Sequence, residues 1–307
     1  MGTKCSILVT SCDKYDDAWH PFFSLFSIMW PDCTYPLYLN TETKEYQNDS
    51  IPVTALHPGS LTDKKGKDIT WSKRLKEAVA QIDSEYILLV VRVLSEYILF
   101  FLEDFFLMSP VRGDVVDECI AWMERDDKLG VVDFFHEPHE TEGAVGEFSP
   151  VQRSYEYCVN AMSALWRKSF LLDIIREDEN PWDFEFNGTY RWRRTGMKIY
   201  THRQEYQSVF DYPNVPKYGY GIFQGKWLWN NQALFEKYGI EADFSKRETL
   251  QYEDLPPLEA EEPKKNKLLV DLKDCIKNPK RIKHYWNCTV AVLKHKRRRF
   301  CARWFHR

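Results

Sequence analysis

The 307-residue chain contains no CxxC pair, no GxGxxG, no GxxxxGK[ST], no GxSxG and no HExxH. Each absence removes a chemistry. Without CxxC, the eight cysteines fit neither a zinc ribbon nor a thioredoxin-type redox site. Without the glycine-rich loops, a dinucleotide dehydrogenase and a P-loop nucleotidase are both disfavoured, and Gly113, Gly130 and Gly188 stand alone. Without GxSxG the usual hydrolase elbow is missing, and His20, His57, His136, His139 and His202 lack zinc-hydrolase spacing. No apolar run reaches the roughly 18–20 residues that span a bilayer, because Arg92, Ser95 and Glu96 break the longest candidate at 86–102. Residues 1–4 run straight into an apolar strand pattern with no secretory signal, so a cytoplasmic protein with reduced thiols is expected.

Aromatic residues, by contrast, are abundant: 11 Trp, 17 Tyr and 19 Phe. Such an excess serves core packing and also suits surfaces where flat ligands stack. Charge is divided unevenly along the chain. From Lys264 to the end, 15 Lys and Arg face two acids, whereas the preceding residues carry 27 against 44. An acidic body with a basic, aromatic tail speaks against nucleic acid as partner and for an anionic membrane surface. The prolines and mixed charges of 253–267 read as a linker, so the expected division is a domain over 1–252, the linker, and a basic helical tail over 268–307.

Residues 5–11 (CSILVTS) predict a buried strand. Trp19, Phe22, Phe23, Phe26 and Met29 predict a helix capped by Asp16 or Asp17 and ended by Pro31. Strands are expected at 35–40 and 53–56, then a helix over 71–82 capped by Thr70. This order begins an α/β sandwich with a mostly parallel sheet flanked by helices. SEYIL occurs twice, at 84–88 and 95–99. The second copy is expected to lead a strand into Glu103 and Asp104, and the first to extend the preceding helix. A helix at 114–124, strands at 129–134, 158–165 and 197–201, and a short helix at 168–176 complete the reading. Residues 136–150 and 213–226 are expected as loops.

Glu103-Asp104 interrupts an apolar run, which suits either a polar strand end or a pair of hard oxygen ligands for a divalent ion on a diphosphate. Ser11, Cys12, Asp13 and Tyr15 follow the first strand, where open sheets bind ligands and where helix caps also occur. Arg74 in a first helical turn and Lys226 after Gly225 can each meet phosphate or simply face solvent. Asp183 and Glu185 sit in NPWDFEF with Trp182 alternating beside them, a carboxylate pair beside a stacking surface, or else the start of a turn at Asn180-Pro181.

The segments ILVTSCDKYDDAW, PLYLNTE, WSKRLKEA, FFLEDFFL, ENPWDFE and GKW, in this order, resemble a bacterial GT-A-type glycosyltransferase of capsular, exopolysaccharide or lipopolysaccharide assembly, over about residues 5–230. The resemblance implies a Rossmann-like GT-A sheet and transfer of a hexose from a nucleotide-diphosphate sugar, UDP favoured, to a glycan or lipid-linked acceptor; if Asp183 or Glu185 is the base, attack is direct and the product inverted. It implies that Thr10, Ser11, Asp13 and Tyr15 hold the nucleotide and that Arg74 approaches it. Asp104, with Glu103, would bind Mn²⁺ or Mg²⁺; here LED stands where the family has DxD. Asp183 or Glu185 would be the base, and Lys226 would neutralise the leaving diphosphate. The tail would attach the enzyme to the inner face of the cell membrane. A non-catalytic sugar-binding or scaffold protein, and a nucleotidyltransferase lacking its glycine loop, are the rival readings.

Overall fold

In the computed structural model, residues 5–48, 50–82, 96–135, 142–155, 157–212 and 221–254 are described. Internal contacts divide the chain into Met1–Glu253 and Asp254–Arg307.

The first strand, β1 (Cys5–Thr10), is buried along its whole length. Such a strand must be covered on both faces, which explains an apolar run rather than an alternation. Ile7 and Val9 point into one core with Phe22, Phe23 and Phe26 of α1 (Asp16–Met29). Leu8 points into the other, with Leu75, Ala78 and Val79 of α2 (Trp71–Gln81). Next to β1 on one side lies β2 (Leu37–Asn40), followed by β3 (Val53–Leu56). On its other side lies β4 (Tyr97–Leu102). The second SEYIL copy thus supplies the start of the strand leading into Glu103 and Asp104, as expected. The first copy lies outside the described residues.

After β4 come α3 (Gly113–Arg125), β5 (Leu129–Asp133), β6 (Phe148–Pro150), β7 (Ala164–Arg167), α4 (Lys168–Ile174), α5 (Pro181–Trp192) and β8 (Lys198–His202). The eight strands lie in the order β3-β2-β1-β4-β7-β5-β8-β6. All run parallel except β7, inserted between β4 and β5, and β6 at the edge. The expected mixed α/β sheet flanked by helices is therefore observed. The carboxyl ends of β1, β2, β3, β4, β5 and β8 emerge on one edge of the sheet.

A small sheet of β9 (Ile222–Phe223), β10 (Lys226–Leu228) and β11 (Thr249–Leu250), with α6 (Asn230–Lys237), packs beside that edge. Gln224 and Gly225, at φ 51° and 79°, form the two-residue turn between β9 and β10. Gly221 precedes β9. A Cβ there would lie 2.3 Å from the Phe106 ring and 2.7 Å from the carbonyl oxygen of Asp104, so only glycine lets the hairpin approach. Gly221→Ala is expected to cost about 1–3 kcal/mol by overpacking. Urea denaturation checks this, and an unchanged midpoint would mean the hairpin shifts freely.

Several local expectations change. Asp16 and Asp17 lie inside α1 rather than capping it, because a 3-10 turn over Asp13–Tyr15 precedes the helix and Tyr15 occupies the cap position. The strand expected at 158–165 is confined to Ala164–Arg167, since 158–163 turns across the sheet edge to reach α5 and β5. NPWDFEF opens helix α5: Asn180 caps it through Asp183 N–H at 2.8 Å, and Pro181 takes the first helical position, where it lacks no needed donor. The 136–150 loop ends in β6, and part of the 213–226 loop is the hairpin.

Candidate functional site at the carboxyl edge of the sheet

From β1 the chain moves outward to β2 and β3, then returns to β4 on the other side of β1. The order reverses between β1 and β4, and such a switch point opens a crevice beyond the strand ends. The 11–15 loop leaves β1 there, and Glu103-Asp104 leaves β4 there.

These two segments touch. The Ser11 hydroxyl accepts the Trp19 Nε1–H at 2.7 Å and also favours the ionised form of Glu103. Burial raises the Glu103 carboxyl, and the neighbouring Asp104 raises it further. Burial also raises Asp104, opposed by the N–H groups of Ile222 (3.3 Å) and Gly221. Glu103 in turn raises the Tyr15 phenol, already raised by burial. Expected nucleotide and metal residues are thus brought together, and the hairpin joins them through Asp104.

Asp13 has a different task from a free ligand. Its carboxylate accepts the N–H groups of Glu42 (3.0 Å), Thr43 (3.1 Å) and Lys44 (3.2 Å), which lie after β2. The hydroxyl of Thr43, with these backbone bonds, holds its carboxyl below the usual range despite burial. Asp13 therefore shapes the loop. Thr10 is buried, its hydroxyl facing Asn40 Nδ2 at 3.4 Å. Arg74 pairs with Glu42 and points an N–H at the Ser11 carbonyl, 3.5 Å away, so it lies against the same loop.

Lys226 lies on β10 with its ammonium on Glu248, at 2.5 Å. A cation that acts on both Glu103 and Asp104 is Arg247, which sequence reasoning missed. Its Nε donates to Asp17 at 2.7 Å and Nη2 to the Lys14 carbonyl at 3.2 Å. Its guanidinium lies 4.6 Å from the Tyr15 ring centre and 5.4 Å from that of Trp227. One side chain therefore ties the 11–15 loop and α1 to the small sheet. Local sequence offered no signal for it, since SKRET reads as an ordinary charged stretch.

On the other side of the edge, β7 pairs antiparallel with β4, Phe100 opposite Ala164. The segment before Ala164 therefore runs beside the one carrying Glu103. Within it, Asn160 donates to Asp133 Oδ2 at 3.1 Å, and the Ala161 N–H donates to Glu185 Oε1 at 2.8 Å. Glu185 thus turns inward toward the strand ends. Asp183 accepts from Asn180 Nδ2 at 2.8 Å, within the cap of its own helix. Asp133, at the end of β5, is a further, buried carboxylate of this edge that sequence reading did not single out. Among the described residues, no group of three or more His, Cys, Asp or Glu is arranged as a metal site. Among them, too, no helix is long and apolar enough to cross a membrane.

No family model matches the chain, and no curated protein matches its sequence. Solved structures do align with it. The structure of S. aureus TarS 1–349 in complex with UDP covers 69% of this chain at 11% identity, with a TM-score of 0.43. The same protein in complex with UDP-GlcNAc covers 67% at 12% identity, with a TM-score of 0.37. A Desulfovibrio desulfuricans G20 protein described as a nucleotide-diphospho-sugar transferase covers 66% at 10% identity, with a TM-score of 0.36, and 80% of that chain is matched. The alignment spans 61% of the UDP-bound TarS chain and 60% of the UDP-GlcNAc-bound one.

Proposed function

We propose that the chain is a GT-A-type glycosyltransferase, moving a sugar from a nucleotide-diphosphate donor, UDP-linked by preference, to a hydroxyl of a cell-surface glycan or its lipid-linked precursor. The observation that carries this reading is the meeting of the 11–15 loop with Glu103-Asp104 at the switch point between β1 and β4. Ser11, Tyr15 and Arg74 would line the nucleotide side, with Thr10 and Asp13 supporting the loop. Arg247 takes the neutralising role expected of Lys226.

Glu103 and Asp104 fit a divalent ion. Both are hard oxygen donors at one strand end, and two carboxylates completed by substrate phosphates are the usual holding set for Mg²⁺ or Mn²⁺. Such an ion would supply charge stabilisation of the departing diphosphate. On the opposite side, Glu185 would accept the acceptor's hydroxyl proton. The acceptor oxygen then bonds to the anomeric carbon as the bond to the diphosphate oxygen breaks. A single displacement of this kind inverts that carbon.

UDP is expected to raise the melting temperature, more so with Mn²⁺, by ligand linkage. Asp104→Ala should remove the metal-dependent increment. Retention of the full increment would reject Asp104 as a ligand, and no shift with UDP, GDP, CMP or dTDP sugars would reject the donor reading.

We propose that the basic tail, 268–307, which lies outside the described residues, is a membrane tether at the inner face of the cell membrane, on the strength of its charge. Its terminal stretch, 294–307, carries seven Lys and Arg interleaved with Phe300, Trp304 and Phe305. Co-sedimentation with anionic and neutral liposomes, using the full chain and one ending at Glu262, provides the check. Equal pelleting of both on anionic liposomes at low salt would end the tether idea.

A further inference from the structure

Helix α5 carries more than Glu185. Trp182, Phe186 and Tyr190 recur at every fourth residue and so share one face. Trp182 is 73% exposed, although burying such a ring would stabilise the fold. Tyr157 stands beside this row, its ring centre 6.2 Å from that of Phe186, and is 49% exposed. The Phe186 and Tyr190 ring centres are 5.1 Å apart, and the Arg193 guanidinium lies 4.7 Å from the Tyr190 ring.

Tyr157 is also strained. Its φ of 55° is left-handed, a conformation that a residue with a bulky side chain adopts only at a cost. The surroundings hold it there. The Val159 N–H donates to Thr189 Oγ1 at 3.0 Å, and Arg193 donates to the Tyr155 carbonyl. Arg153 reaches the carbonyls of Trp192 (3.1 Å) and Met197 (2.9 Å). The turn bearing Tyr157 is thereby pinned to α5, and its ring is presented at the surface on rigid elements.

We propose that this face is a binding platform for a glycan acceptor of two or more pyranose units, led past Glu185 by the aromatic row. The proposal rests on the reading of Glu185 as the acceptor-side base. A sugar ring has an apolar face of C–H groups and a rim of hydroxyls, so it needs flat aromatic surface interleaved with hydrogen-bonding groups. This face supplies both: the rings rise about 6 Å per four residues along the helix, on the order of one sugar unit. Asn180 and Asp183 lie at one end, Arg193 and Arg194 at the other. A lipid or an apolar protein partner would require an unbroken apolar patch, which Asp183, Asn187 and Arg194 interrupt.

The test is calorimetric titration of the full-length chain with cello-, malto- and chito-oligosaccharides of one to four units, alongside UDP. At least one series is expected to bind, more tightly with each added unit up to three. Trp182→Ala and Tyr157→Ala should each weaken the longer sugars about tenfold and leave UDP binding unchanged. Trp182 is exposed, so its loss does not endanger folding. Binding of UDP with no binding of any series, or variants that bind every sugar as the parent does, would overturn the platform alone. Sugar binding that depends on Trp182 in a chain that binds no nucleotide would leave the platform and overturn the donor reading.

Discussion

Glu185→Gln is expected to lower turnover about 10²-fold or more while nucleotide binding persists. The substitution keeps the shape of the side chain and an oxygen for the Ala161 N–H, now 2.8 Å from Glu185 Oε1. The 158–163 segment therefore stays in place, and only the proton acceptor is lost. Asp183→Asn should be nearly silent in turnover, because Asp183 works within the Asn180 cap. Its cost should appear in stability, at about 1 kcal/mol or less. Both variants are to be compared by nucleoside-diphosphate release at saturating donor. If both turn over at the parent rate, the base lies elsewhere, and Asp133 becomes the next carboxylate to replace.

The largest loss of stability is expected from Arg247→Ala. Arg247 is 7% exposed and Asp17 wholly buried in side chain, so the variant strands a carboxylate without its counter-ion. Breaking a buried pair in this way costs about 3–5 kcal/mol. The same change removes the guanidinium from between Tyr15 and Trp227, so the 11–15 loop loses its tie to the small sheet. Urea denaturation of Arg247→Ala, Asp17→Asn and the double variant measures the coupling. The double variant should be more stable than Arg247→Ala, because no buried charge remains unpaired. A loss below about 1 kcal/mol in Arg247→Ala would mean that water reaches Asp17 and that the latch is weak.

Much of the architecture was legible because the signals are local. The aromatic face of α1, the Thr70 cap of α2 and the apolar runs of β1 and β4 each report their element within a dozen residues. The same locality explains the misses. NPWDFEF reads as the start of a turn at Asn180-Pro181, yet these residues start a helix whose buried face, Phe184, Gly188 and Trp192, repeats only beyond the motif. The 158–163 stretch is apolar enough for a strand, but its polar groups are taken by Asp133, Glu185 and Thr189, so it turns instead.

By itself the sequence determined the order of strands and helices from β1 to β5, the candidate carboxylates at 103–104 and 183–185, and the loop after the first strand. Hydrophobic periodicity and capping act over a few residues, and composition is enough to read them. Only the tertiary structure decided which of these groups meet. The reversal of strand order sets the 11–15 loop beside Glu103, and the antiparallel insertion of β7 turns Glu185 toward the same edge. Arg247 reaches Asp17 across 230 residues of chain. Such contacts depend on how the sheet closes and on which charges must be paired once water is excluded, and no local pattern encodes either.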